Sequence, residues 1–223
     1  MKTSTNPSAR VISLALAAVL FTGCSARFDA AAFVEDTLDA RYRGVCSPEL
    51  PDLTLNTEEE ITALYKAVLE SEAEYFCAFF DINKTRIPVS LHDDIVKMLA
   101  RILSSADFTP GEAVKTENGF SVSVAVRPLD IMQKVISEDI SAFTDEWQTL
   151  ADLKELEGMS VDEFETRWAR GVIELVSVRI PKIGQLEAET VSVRVTKETY
   201  EGKTRYTADE KDIGKIIRLI ILY

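Results

Sequence analysis

Residues 117–127 read ENGFSVSVAVR, and this stretch decides the fold class. The Asn118-Gly119 pair is typical of a tight hairpin turn, because both residues tolerate positive φ angles. After the turn, apolar and polar or small side chains alternate, which predicts a strand with one buried and one solvated face. A second alternating stretch, residues 187–196, turns at Glu201-Gly202 into a short predicted strand, residues 203–207. Isolated hairpins make unstable sheets, so we expect these two hairpins to pair into one antiparallel sheet of about four strands.

Helical periodicity fills much of the remaining chain. Asp29 is placed to cap a first helix that ends near Gly44, and the spacing of Thr57 and Glu60 predicts a capping box for a second helix. Other predicted helices begin at Ser90, Asp130 and Ser160. The final segment, residues 209–223, fits either a helix capped by Asp209 or a β-branched strand. We therefore expect an α+β fold, with about six helices packed on the apolar face of the sheet.

The first 23 residues differ from the rest of the chain. Lys2 and Arg10 are their only charges, and residues 11–21 form an uninterrupted run of apolar and small side chains. This pattern predicts a secretory signal peptide. Eleven helical residues rise about 16 Å, which is too short to cross the hydrocarbon core of a bilayer.

The signal segment ends in Leu20-Phe21-Thr22-Gly23-Cys24, which resembles a bacterial lipobox, although Phe21 stands where an aliphatic residue is usual. The resemblance implies cleavage before Cys24 and a diacylglycerol on its sulfur. Ordinary secretory cleavage that leaves a free cysteine is the alternative. We expect a signal peptide over residues 1–23, a lipidated cysteine and short tether over residues 24–28, and one α+β domain over residues 29–223.

The charge of the chain restricts its partners. It carries 25 basic and 37 acidic side chains, a formal net charge of −12. Removal of the signal segment, with its two basic residues, leaves −14. Such a surface repels phosphate backbones and anionic headgroups, so we expect no nucleic-acid binding and membrane attachment through the lipid on Cys24. A basic or amphipathic partner or a divalent cation is the natural counterpart; the alternative is that the acidity only provides solubility.

Two cysteines remain once Cys24 is lipidated. Outside the cytoplasm, Cys46 and Cys77 could form a disulfide. Cys77 also lies in an aromatic stretch, residues 75–80, where a buried free thiol packs well. Both interpretations stay open at the level of sequence.

No catalytic, metal-binding or cofactor-binding constellation is present in the sequence. His92 is the only histidine, which excludes histidine-rich zinc sites and weakens every Ser-His or Cys-His scheme. Residues 81–83 begin like a calcium loop, but Arg86 stands where that loop requires glycine. The aromatic cluster of the second helix could line a ligand pocket or belong to the core. Its members are Tyr75, Phe76, Phe79 and Phe80.

The chain resembles a group of bacterial envelope lipoproteins. The resemblance rests on the lipobox at Cys24, the opening residues 28–39, the acidic helix around residues 70–80 and the segment 119–131. It implies a sheet of the cystatin-like or nuclear-transport-factor-like kind and supplies no active site. We expect a lipid-anchored protein on the extracytoplasmic face of the cell membrane that acts as a non-enzymatic protein-interaction module. The alternative is a binder of small ligands or peptides, with a cavity between sheet and helices; an enzyme is a third and weaker interpretation.

Overall fold

Four antiparallel strands form one sheet in the order β1-β2-β3-β4, in a computed structural model of the protein that describes residues 28–223. The strands are β1 (Asp107–Thr116), β2 (Gly119–Arg127), β3 (Glu189–Tyr200) and β4 (Lys203–Ala208). The predicted sheet of two paired hairpins is therefore confirmed. The predicted signal peptide and Cys24 lie outside the described residues.

The pairing of β2 with β3 forms the centre of the sheet. Val122 lies opposite Val193, and Val124 lies opposite Val191. On the other face, the hydroxyls of Ser121 and Ser192 are 2.8 Å apart. Alternation along the strand thus places the valines toward the helices and the serines on the polar face, as the sequence predicts.

Helices account for most of the rest of the α+β fold; the first two and the last pack directly on the sheet, and the long third and fourth helices pack against each other. They are α1 (Ala30–Leu38), α2 (Leu50–Thr54), α3 (Glu58–Phe79), α4 (Val89–Leu103), α5 (Ile131–Lys134), α6 (Ile140–Asp152), α7 (Val161–Ser177) and α8 (Glu210–Ile220). One π-helical turn extends α1 through Asp39–Arg43, and another, Val135–Asp139, joins α5 to α6. The final segment is a helix, followed by a bridge between Ile221 and Leu129.

Side-chain caps form at four of the five positions predicted as caps, namely Asp29, Thr57, Ser160 and Asp209. Asp29 accepts hydrogen bonds from the first turn of α1, and Thr57 and Ser160 each form a complete capping box. Ser90 does not cap α4, because the helix already begins at Val89 and the backbone carbonyl of Pro88 accepts the first bonds. Pro88 is the N-cap residue, with a ψ of 146°, and its side chain has no hydrogen-bond acceptor, so α4 begins without a side-chain cap.

A buried carboxylate fixes α8 to the sheet. Asp212 is 2% exposed and accepts hydrogen bonds from Nε of Arg194 and Nζ of Lys215, both at 2.8 Å. Burial alone would raise the pKa of Asp212, but these hydrogen bonds and one from the Arg194 backbone N–H lower it to about 2. The last helix is therefore held by charge as well as by its apolar face.

Candidate functional site

The α6–α7 arm (residues 140–177) differs in burial from the rest of the fold. None of the residues of α6 is buried, although the helix carries apolar side chains at helical spacing. In α7, Ala169, Val172 and Val176 are fully buried, and this helix packs on α4. The arm therefore has an inner helix that belongs to the core and an outer helix that faces solvent.

Four aromatic rings join the two helices of the arm. The ring centroids of Phe143 and Trp168 are 5.0 Å apart, those of Trp147 and Phe164 are 5.1 Å apart, and those of the two tryptophans are 5.4 Å apart. The close approach depends on Gly171, because a Cβ there would lie 2.6 Å from the ring of Phe143. Phe164 remains 39% exposed, so the cluster is accessible from solvent.

Two open grooves run along the arm. One, of about 930 Å³, lies between α7 and residues 85–88, and the other, of about 510 Å³, lies between α6 and α7. Arg167 and Arg170 contribute to both grooves. The ion pair of Arg86 with Asp162, at 3.0 Å, ties the loop to α7 at the edge of the first groove.

The arm carries a concentrated negative charge and exposed apolar side chains. Nine acidic and three basic residues lie between positions 140 and 177, a net charge of −6 against −12 for the whole chain. Leu153 and Val161, in and next to the connection between the helices, are 63% and 58% exposed. The arm therefore combines an acidic surface with solvent-exposed apolar side chains.

The arm lies far from the point where the described chain begins. Phe28 stacks on Tyr206 with ring centroids 3.5 Å apart, and Tyr206 lines a small cavity with Ile61, in the first turns of α3. At the other end of α3, the carbonyl of Phe80 accepts a hydrogen bond from Nε1 of Trp168, at 2.8 Å. The rise of α3 from residue 61 to residue 80 is about 28 Å. These contacts link Phe28 to the first turns of α3 and the arm to its last turn.

The structure divides the predicted aromatic pocket. Phe76 and Phe80 are 0% and 5% exposed and belong to the core. Tyr75 lines a cavity of about 270 Å³ that also includes Tyr223. The ring of Phe79 lies 5.3 Å from that of Tyr223.

Glu72, which was not among the predicted site residues, lines the same cavity and is only 7% exposed. Burial raises the pKa of Glu72 to about 7, and a hydrogen bond from the hydroxyl of Tyr223 offsets part of that effect. A signal existed: Glu72 is three residues after Leu69 and four before Phe76, both on the buried face of α3. An acid at that spacing is a candidate for burial.

The two described cysteines are free thiols and lie far apart. Burial, and then the nearby charge of Glu58 in the first turn of α3, raise the pKa of the Cys46 thiol. Cys77 lies in the last turn of the same helix, about 28 Å further along. Disulfide formation requires Cα atoms within about 7 Å, so the Cys46–Cys77 disulfide is not formed in this fold. Cys77 is instead the buried free thiol of the alternative interpretation.

Residues 28–223 contain neither a candidate metal site nor a candidate membrane-spanning helix. No group of three or more His, Cys, Asp or Glu side chains there is arranged to hold a metal ion. His92 contacts Glu70, with Nε2 2.8 Å from a carboxylate oxygen. Within the same residues, no helix has the length and hydropathy needed to span a bilayer.

The fold is similar to that of a known protein. Neither a protein-family model nor a curated protein matches the sequence. The crystal structure of YcdA, a candidate lipoprotein of Bacillus subtilis, matches 86% of this chain with a TM-score of 0.57 and 14% sequence identity. The chain covers 56% of the length of YcdA. At this identity the likeness shows a shared fold.

Proposed function

We propose that the protein is a lipid-anchored, non-enzymatic interaction module on the extracytoplasmic face of the cell membrane. The lipobox-like sequence before Cys24 and the description of YcdA as a candidate lipoprotein both support the lipid anchor. Residues 25–28 span at most about 14 Å when extended, so the anchor holds Phe28 close to the bilayer. Two or three acyl chains are sufficient for stable attachment.

The α6–α7 arm is the interaction surface in this proposal. The observation that carries it is the absence of any buried residue in α6, beside a partly exposed aromatic cluster and two open grooves. The separation of about 28 Å along α3 favours an arm held away from the membrane, in reach of a second protein. Aromatic side chains with arginine at their edges are enriched where proteins bind each other, and Arg167 lies over the ring of Trp147 at 5.4 Å.

The charge of the arm indicates the chemistry of its partner. With a net charge of −6 between residues 140 and 177, the arm attracts a basic protein segment and repels an acidic one. The grooves beside the aromatic cluster accept apolar side chains. We therefore propose an envelope protein that presents apolar side chains flanked by lysine or arginine.

Site-specific photocrosslinking, in cells that produce the protein, tests whether the arm binds a partner. A photoreactive residue at Leu153 is compared with one at Val114, because both side chains are 63% exposed and Val114 lies on β1, outside the arm. We expect a discrete adduct from position 153 alone, lost when Trp147→Ala disrupts the aromatic cluster and when Glu146→Lys changes the charge. The captured protein should present a basic, apolar segment. Equal adducts from both positions, or adducts that survive both changes, would contradict the proposal.

Metabolic labelling tests the anchor separately. The native chain should incorporate labelled fatty acid, and Cys24→Ala should abolish incorporation. Cys46→Ala is the matched control, since it removes a different cysteine and should leave labelling unchanged. Label retained in Cys24→Ala would disprove the lipobox interpretation while leaving the role of the arm open.

A further inference from the structure

A cavity between α3 and the end of α8 is lined by a buried acid, Glu72, and by an exposed arginine, Arg218. It has a volume of about 270 Å³ and is lined by Glu72, Tyr75, Arg218, Tyr223 and neighbouring aliphatic side chains. Its location is separate from the α6–α7 arm. The charges and apolar side chains of these residues determine which ligands the cavity can accept.

Glu72 is a buried carboxyl group without a counter-ion. It is 93% buried, and no basic side chain among residues 28–223 lies within ion-pair distance of it. The hydroxyl of Tyr223 lies close enough to lower the pKa of Glu72, but it supplies no positive charge. A desolvated carboxylate gains most from a cation that enters the cavity beside it.

Arg218 supplies the opposite charge at the same cavity. In the described part of the chain it forms no ion pair, although acidic residues outnumber basic ones by 37 to 25 in the whole sequence. A guanidinium group stays charged at every physiological pH and binds a carboxylate through two parallel hydrogen bonds. The cavity therefore has a site for an anion as well as a site for a cation.

We propose that this cavity binds a zwitterionic α-amino acid with an apolar side chain. The ligand ammonium group pairs with Glu72, its carboxylate pairs with Arg218, and its side chain lies against Tyr75 and the aliphatic residues of the cavity. The faces of Tyr75 and Tyr223 also favour a cation. A volume of about 270 Å³ suits a ligand of this size. The inference depends on neither the lipid anchor nor the partner of the arm.

The pH dependence of binding follows from the groups around Glu72. The titratable and charged groups that line the cavity with Glu72 or interact with its charge include Tyr42, Tyr75, Arg218 and Tyr223, and Cys77 lies near Tyr223. Burial raises the pKa of Tyr42, Tyr223 and Cys77, so these three stay neutral below pH 8. Protonation of Glu72 below about pH 7 removes the charge that pairs with the ligand ammonium. The affinity should therefore fall as the pH falls from 8 to 6, by up to about tenfold per pH unit.

Equilibrium binding to the full chain in detergent micelles tests the proposal. The probes are valine, leucine, methionine and phenylalanine, together with 2-phenylethylamine and 3-phenylpropionate, which lack the carboxylate and the ammonium group respectively. We expect at least one amino acid to bind and each single-charge analogue to bind about tenfold more weakly than phenylalanine. Failure of all four amino acids to bind at about 10 mM, or equal binding of the analogues, would overturn the proposal.

Variants separate the two charges from general effects on folding. Glu72→Gln and Arg218→Gln should each weaken binding by about tenfold or more. Glu59→Gln is the matched control, because Glu59 is an exposed acid on the same helix. Circular dichroism verifies that each variant is folded. Unchanged affinity in folded Glu72→Gln would show that this carboxyl group does not bind the ligand and would contradict the inference.

Discussion

The body of the fold (residues 28–139 and 178–223) and the α6–α7 arm bury their apolar side chains in opposite ways. In the body, Val122, Val124 and Val193 have no solvent-exposed surface. In the arm, α6 has no buried residue and its aromatic side chains are only partly covered by α7. The body thus has the packing of a stable core, whereas the outer helix of the arm has the exposure expected of a binding surface.

The difference has separate consequences for stability and for the binding that we propose. Elements with few buried contacts open locally at a lower free energy than the core, and binding surfaces are commonly drawn from them. Substitutions in the body should therefore change the free energy of global unfolding. Substitutions on the outer face of the arm should change binding and leave global stability nearly unaffected.

The largest expected effect is a cavity in the body. Leu99 in α4 is fully buried, so Leu99→Ala should lower the free energy of unfolding by about 3 kcal/mol. Leu153→Ala removes the same atoms from a side chain that is 63% exposed and should cost less than about 0.5 kcal/mol. Urea denaturation followed by far-UV circular dichroism measures both. Similar losses in the two variants would contradict the distinction between body and arm.

A second effect concerns Glu72, whose raised pKa opposes stability at neutral pH. The pKa is about 4.5 in the unfolded chain and about 7 in the folded one, so the folded state binds the proton more tightly. The contribution of Glu72 to the free energy of unfolding is complete below about pH 4.5 and is lost as the pH rises to 7. Glu72→Gln should therefore stabilise the protein by about 2–3 kcal/mol at pH 8 and have little effect at pH 4. Urea midpoints at the two pH values would show it, and destabilisation at pH 8 would argue against a buried, unpaired charge.

The Asp212 cluster has the opposite pH dependence. The folded-state pKa is lowered from 3.8 to about 2, so its contribution is present above about pH 4 and is lost as the pH falls through 2. Asp212→Asn should lower the free energy of unfolding by about 2 kcal/mol at pH 7 and by almost nothing at pH 2. Thermal unfolding of the native protein and of Asp212→Asn at the two pH values measures this loss of stability. A pH-independent effect would mean that shape, not charge, holds α8.

The smallest global effect is expected in the arm. Gly171→Ala places a Cβ atom against the ring of Phe143, so α6 must move away from α7. We expect faster hydrogen exchange in α6 with about 1 kcal/mol or less of change in global stability. The α4 amides serve as the internal reference. Accelerated exchange in α4 as well would show that the arm and the body unfold as one unit.

The sequence predicts the fold through its local signals. Alternating valines and the Asn118-Gly119 turn predict the central strands, and two capping boxes predict the starts of α3 and α7. The start of α4 was misplaced because Pro88 begins a helix without a polar side chain. The final segment was ambiguous because β-branched residues favour strands locally, and burial against the sheet decides for the helix.

The sites could be predicted only in part. The aromatic stretch indicated a cavity near Tyr75, but Glu72 was hidden among many acids, and Arg218 and Tyr223 join it through tertiary structure alone. The sequence could not decide whether Cys46 and Cys77 form a disulfide, because their separation along the chain does not give the distance between them in the fold. The sequence also did not predict the exposure of α6, because the apolar side chains of α6 have the spacing of a helix buried in the core.

The central claim, that the membrane-anchored protein holds its arm away from the bilayer, has a direct test. The only two tryptophans, Trp147 and Trp168, lie in the arm, so intrinsic fluorescence reports on the arm alone. The lipidated chain is reconstituted in vesicles that contain brominated lipids, which quench only nearby indoles. Phe28→Trp, in a chain with both native tryptophans replaced by phenylalanine, is the control near the membrane. We predict strong quenching of the control and little quenching of the native arm, whereas quenching of the arm as strong as that of the control would contradict the account.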